Sequence, residues 1–175
     1  MHTLVHLDRM LEIAMSIKAL QRAFERAANE AMRPLGLTGA QADVLSVIAQ
    51  AHSISLKDLG ELVIAEGGHP SRLVDRLVDA GLVERRQAGD DRRRITLSLT
   101  AEGRRLERGA HKAREKQLEF FRQVLGDRDL TSELALVREL LGYTPYAQLI
   151  ARRRALLERS ERQHKQRKRA TSPPA

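Results

Sequence analysis

Leu82–Gly103 reads LVERRQAGDDRRRITLSLTAEG. Two runs within it, LVERR and RITLSL, alternate with period two, as half-buried strands do. Between them QAGDDRR is a Gly/Asp turn cluster, so the stretch reads as a β-hairpin with a longish loop. Thr100 then caps a new helix that begins in LTAEG and runs to about Leu125. Its apolar rows are Leu106, Ala110, Ala113, Leu118, Phe120, Phe121 and Val124, and Gly126 with Asp127 break it.

Upstream of the hairpin lies EGGHPSRLVDRLVDAGLV, with Pro70 suited to the first helical position and Gly81 placed just past the last turn. At 100° per residue, Leu73, Val74, Leu77 and Val78 share one arc of this helix. Ser71, Arg72, Asp75, Arg76 and Asp79 share the other. Two shorter helices precede it. In LTGAQADVLSVIAQA, Thr38 and Gln41 form a capping box, and Val44, Leu45, Val47 and Ile48 supply the apolar stripe. In SISLKDLGELVI, Ser55 caps and Asp58 answers. Leu56, Leu59, Leu62 and Val63 are expected to face inward from a helix of about ten residues, held by tertiary contact rather than propensity.

The chain opens on a helix expected from Leu4 to Arg33, with Leu7, Met10, Leu11, Ala14, Ile17, Leu20, Phe24, Ala27, Ala28 and Ala31 at steps of three and four. Pro34 is expected to force Arg33 out of helical geometry. Thirty helical residues span about 45 Å. A domain of this size does not cover such a helix, which therefore calls for a partner, most simply a second copy of the chain. After Gly126, Leu130–Leu141 reads as a short helix and Tyr146 to about Gln163 as another. KQRKRATSPPA reads as disordered.

Composition narrows the function. The chain has 175 residues, no cysteine, 42% hydrophobic residues and only 3% aromatics. Disulfides and thiolate metal sites are excluded. No apolar run approaches the roughly 20 residues of a membrane span, and MHTLVHLDRM lacks the basic start and unbroken apolar segment of a signal peptide. A cytoplasmic protein without a membrane partner is expected. The net charge is +8, and residues 152–175 hold nine Lys or Arg against two Glu, so most of the excess sits in a C-terminal arm. Such an arm suits a polyanion, usually nucleic acid, or simply keeps the chain soluble. No Gly-rich phosphate loop, HExxH pair or nucleophile elbow is present, and the six histidines are scattered. Neither an enzyme nor a metal or organic cofactor is expected.

The order of elements is that of a winged helix-turn-helix: mainly α, with a small β-hairpin and long helices on both sides. Residues 37–103 form the expected DNA-binding lobe, 1–36 and 104–163 the dimerisation helices, and 164–175 a disordered basic tail. Over roughly residues 1–145 the chain resembles the multiple-antibiotic-resistance regulator (MarR) family. The resemblance is most specific in Asp91-x-Arg93 followed by the alternating run and Leu99-Thr100-x-x-Gly103, and in Leu77-x-x-x-Gly81-Leu82-Val83 before them. It implies a homodimeric DNA-binding regulator. In many members a small, often phenolic, ligand binds between the dimer platform and the lobe and lowers DNA affinity.

The resemblance also implies roles. Asp91 orients the wing and Arg93 reaches into the minor groove. A carboxylate two residues away on an extended segment lies on the same side as Arg93 and can hold the guanidinium in one pose. A narrow A·T groove attracts arginine. Arg92 and Arg94 alternate to the other side, toward phosphates, and Asp90 is a turn residue. The helix at 70–80 becomes the recognition helix, about 16 Å long, with Ser71 and Arg72 near the end that meets base edges. Arg76 either contacts phosphate or pairs with Asp75, Asp79 or a neighbouring wall. Ser55 and Lys57 are candidate phosphate contacts, although Ser55 also suffices as a cap. His69 either contacts DNA or is solvated.

Two features depart from the family pattern. Gly67-Gly68 stand before His69-Pro70 where a polar cap is more usual, which frees the turn. The basic arm from Arg152 is the other, expected to add sequence-independent phosphate contacts. Met10, Met15, Phe24 and Phe120 could line an effector pocket, but their spacing reads as core. The expected partners are thus a pseudo-palindromic duplex, a second copy and a small aromatic effector. The competing reading is an architectural nucleic-acid binder without an effector that works through its basic tail.

Overall fold

The computed structural model describes residues 2–64, 70–88 and 91–171, without the side chains of 2–6, 88, 91–94, 164, 165 and 167–171. Helix α1 (His2–Met32) is continuous for 31 residues. Pro34 ends it, but Arg33 does not leave helical geometry as expected. It opens a 3-10 turn (Arg33–Leu35) that Gly36 closes at φ 67°. The tighter turn lets Pro34 occupy an early position where its missing N–H is not needed.

Helix α2 (Gly39–Ala51) starts from the expected capping box: Gln41 N–H donates to Thr38 Oγ1 at 3.2 Å, and Thr38 N–H donates to Gln41 Oε1 at 2.8 Å. Strand β1 (Ile54–Ser55) follows, then helix α3 (Leu56–Gly60) of only five residues, half the expected length. Helix α4 (Pro70–Asp79) leads through Gly81, at φ 67°, into strands β2 (Val83–Ala88) and β3 (Asp91–Leu99). The expected hairpin is one part of a three-stranded antiparallel sheet in the order β1-β3-β2. Ile54 pairs with Leu97 and Ser55 with Thr96 on one side of β3, while Val83 pairs with Leu99 and Arg85 with Leu97 on the other.

One core lies inside the region from the end of α1 to β3. Leu45, Ile48, Leu59, Val74, Leu77 and Leu97 are fully buried there beside the buried Leu99, joined by Met32 from α1 and Ala110 from α5. Helix α5 (Ala101–Leu125) starts on the expected Thr100 cap, with Gly103 N–H donating to Thr100 Oγ1 at 3.0 Å. Helices α6 (Thr131–Gly142) and α7 (Tyr146–Thr171) complete the chain. Helix α7 runs on to Thr171, through most of the tail expected to be disordered. Lys, Arg, Gln and Ala are good helix formers, so basic composition alone does not forbid a helix.

The long helices leave their apolar rows uncovered. Leu7, Leu11, Ile17 and Leu20 on α1 are each more than half exposed, as are Leu118 and Val124 on α5. Met10, Met15 and Phe120, expected as core, are 56%, 64% and 60% exposed. Helical spacing identifies an apolar face, and among the described residues most of that face is left uncovered. Phe24 is also exposed, though its ring lies 4.9 Å from that of Phe121 on α5.

Candidate nucleic-acid interface

The two faces of α4 separate as the sequence pattern requires. Val74 and Leu77 are fully buried, while Arg72, Asp75, Arg76 and Asp79 are exposed and Ser71 is half-buried. Of the two readings of Arg76, the ion pair is not formed among the described residues: Asp75 accepts a hydrogen bond from Arg85 on β2 instead. Arg85 was not singled out from sequence. Its ten-residue separation from Asp75 becomes proximity only when the hairpin folds back on α4. On the same strand Arg86 pairs with Glu84 at 2.7 Å.

Ser55 does two structural jobs. Its Oγ accepts the Asp58 N–H at 3.1 Å and donates to Asp58 Oδ2 at 2.7 Å, and its backbone is half of β1. The cap reading of Ser55 is therefore realised. Lys57, one residue into α3, is exposed. The backbone of Asp91, Arg92, Arg93 and Arg94 lies in β3, with Asp91 opposite Ala88 beyond a register shift. Their side chains fall outside the described residues, as do His69, Gly67 and Gly68 entirely.

The root of the hairpin is tied to both neighbouring helices. Thr100 Oγ1 donates to the Gly81 carbonyl at 2.7 Å, Thr100 N–H donates to the Leu82 carbonyl at 3.1 Å, and Arg104 Nη1 donates to the Leu99 carbonyl at 2.6 Å. Helix α4, both long strands and the start of α5 thus share one hydrogen-bonded knot. An amphipathic helix with a solvent-facing cationic surface, preceded by a short helix and followed by a two-stranded arm, can place one element in a groove and hold backbone phosphates around it.

Between the end of α1 and the start of α2 lies an open cleft of about 580 Å³, lined in part by Arg22, Arg26, Asn29, Arg33 and Leu37. Glu25 and Glu30 also border it. No group of three or more metal-ligating side chains occurs among the described residues, and no described helix is long and apolar enough to cross a membrane.

Comparison with known proteins places this geometry. Residues 37–103 match the model of the winged helix DNA-binding domain. The multiple antibiotic resistance protein MarR of Escherichia coli is 31% identical over 96 residues, 55% of this chain and 67% of that protein. The chain belongs to the MarR family. The uncharacterized HTH-type regulator YwoH of Bacillus subtilis is 30% identical over 61% of this chain and 74% of its own length. Among solved structures, a mutant MarR from E. coli complexed with operator DNA is 27% identical, with a TM-score of 0.62 over 77% of this chain and 94% of that one. The MarR-family regulator SP03579 superposes with a TM-score of 0.67 at 21% identity, a likeness of fold, over 79% of this chain and 97% of that one. This MarR-family chain is a DNA-binding transcriptional regulator, and its relatives are regulators rather than enzymes.

Proposed function

We propose that the chain is a homodimeric repressor that binds a pseudo-palindromic operator in the cytoplasm and releases it when a small anionic aromatic molecule binds. The carrying observation is the outward polar face of α4, where Arg72 and Arg76 stay exposed over a fully buried Val74 and Leu77. In this reading α4 enters the major groove, and Ser71 and Arg72 meet base edges. Arg76, Lys57 and Ser55 lie toward phosphates, and His69 is a further DNA contact. Asp91 and Arg93 form the minor-groove arm, flanked by Arg92 and Arg94. Two such helices about one turn of DNA apart account for a two-fold site.

The dimer is supported by the uncovered apolar rows of α1 and α5 and by Leu134, Val137 and Leu140 on α6, which are 46–50% exposed. Rows of this length on three helices favour self-association over exposure to water. The effector is supported by the arginine-lined cleft between α1 and α2, at the junction of the long helices and the lobe. Arg22, Arg26 and Arg33 suit a carboxylate, and Leu37 offers apolar contact.

The test is selection of fragments bound by the full chain from genomic DNA at near-physiological salt. An inverted repeat near promoters is the expected result. Recovery of bulk DNA with no shared motif overturns the reading in favour of an architectural binder.

A further inference from the structure

The C-terminal helix begins by turning back onto the DNA-binding lobe. Arg153 on α7 has a side chain only 16% exposed. Its Nη2 donates to Asp43 Oδ1 on α2 at 2.6 Å, and its Nη1 reaches the Leu62 carbonyl at 3.5 Å. Arg114 Nη2 on α5 stands 4.0 Å from the same Asp43 oxygen. Next to Arg153, Arg152 pairs with Glu61, and Leu156 packs against the core. Burial pulls the Arg153 guanidinium below its ordinary pKa, against the opposing pull of Asp43. One carboxylate on α2 therefore gathers arginines from α5 and α7. The carbonyl that Arg153 touches lies two residues past the end of α3.

These contacts change the meaning of the basic arm. A guanidinium largely withdrawn from water, with donors already engaged, is poorly placed to hold a phosphate. Helix α3 has five residues, too few to fix its own direction, so its orientation depends on what packs against it. We propose that Arg153 is a positioning residue for DNA binding: α7 is a strap that holds the helix-turn-helix against α5, and the Asp43–Arg153 pair is its fastening. This inference rests on the DNA-binding reading above and adds a control to it. With the strap closed, α3 and α4 are presented in one orientation. With it open, the competent orientation is a fraction of the ensemble, and apparent affinity falls by that fraction. Removing Arg153 takes away the pair that joins α7 to α2, so the closed state loses its fastening.

The experiment compares full-length wild type with Arg153→Met, Arg153→Lys and Asp43→Asn. Hydrogen exchange is measured on the free proteins, and DNA affinity is measured across a salt series. Arg153→Met is expected to speed exchange over Leu56–Leu62 and to weaken DNA binding, each by about tenfold, with the salt slope unchanged. Arg153→Lys keeps the charge and is expected to recover part of the exchange protection and part of the affinity. Asp43→Asn, which keeps the shape of the site, reproduces them and guards against a misfolded Met variant. A salt slope that falls by about one overturns the proposal, because Arg153 is then a phosphate ligand. Unchanged exchange and affinity overturn it equally. Wild type that binds no DNA removes the functional reading alone, and the exchange comparison still decides the strap.

Discussion

A Cβ on Gly103 would stand 2.0 Å from the carbonyl oxygen of Leu82. The first turn of α5 thus lies directly on the residue that follows the Gly81 turn, and only glycine permits the approach. Gly103→Ala must push α5 off the root of the hairpin. It is expected to lower unfolding free energy by about 1–3 kcal/mol in a denaturant titration. Gly109→Ala on the same helix is the control. There the added carbon meets only the tip of Leu35, at 3.1 Å, a side chain that can move, and a loss as large as that at Gly103 would contradict the account.

Arg72 and Lys57 are both exposed cations, but the proposed complex assigns them different work. Arg72→Ala should cost about 1–3 kcal/mol of specific binding and relax discrimination at one position of the operator. Lys57→Ala should weaken binding evenly across sequences and reduce the salt slope by about one. Titrating a panel of single-base operator variants at several salt concentrations separates the two. Identical profiles would dissolve the distinction.

The wing offers a test in which charge and geometry predict opposite signs. Arg93→Ala should cost about 1–3 kcal/mol of operator binding. Asp91→Ala removes a negative charge near DNA, yet it should also weaken binding, because the carboxylate holds the guanidinium in its working pose. Tighter binding by Asp91→Ala, read in the same equilibrium assay, would reduce the loop to simple electrostatics.

Glu107 on α5 provides a pH prediction. Burial pushes its carboxyl above the ordinary range, against the pull of His111, Arg114 and Arg108. The folded chain therefore holds more protons at this site than the unfolded chain does, just above the ordinary glutamate pKa of about 4.3. Its contribution is fully present below that pH and is lost as pH rises through the folded value. Glu107→Gln removes the dependence. The Tm difference, variant minus wild type, should be near zero at low pH and grow positive toward neutrality. Glu102 and Asp129 have lowered values and the opposite slope, but both are shared by the two proteins and cancel in the difference.

Local chemistry was the part of the fold legible in the sequence. Thr38 with Gln41, Ser55 with Asp58, and Thr100 announce their helices because a cap is written within four residues. The amphipathic wheel of α4 was legible for the same reason. Strand β1 escaped notice because two residues carry no periodicity, and Ile54 and Ser55 become a strand only when β3 offers an edge. Met10 and Phe120 were misassigned to core because spacing defines a face but not what covers it. Arg85 with Asp75, and Arg153 with Asp43, are pairings across the fold, and a linear pattern holds no trace of them. The tail is helical to Thr171 because the propensity of its Lys, Arg, Gln and Ala residues outweighs their charge density.

Ser55 ends one element and begins another: its backbone is the edge of the sheet opposite Thr96, and its hydroxyl starts α3. With the α7 strap closed, the wing and the first helix of the helix-turn-helix are therefore held in one relation, like the fixed jaws of a gauge. In the proposed complex neither jaw adjusts separately to the duplex. A site whose minor groove is too wide, or displaced from the adjoining major groove, must be bent or twisted to fit, and the stiffness of its base steps sets that energy. Operator choice then extends to base pairs that no side chain touches.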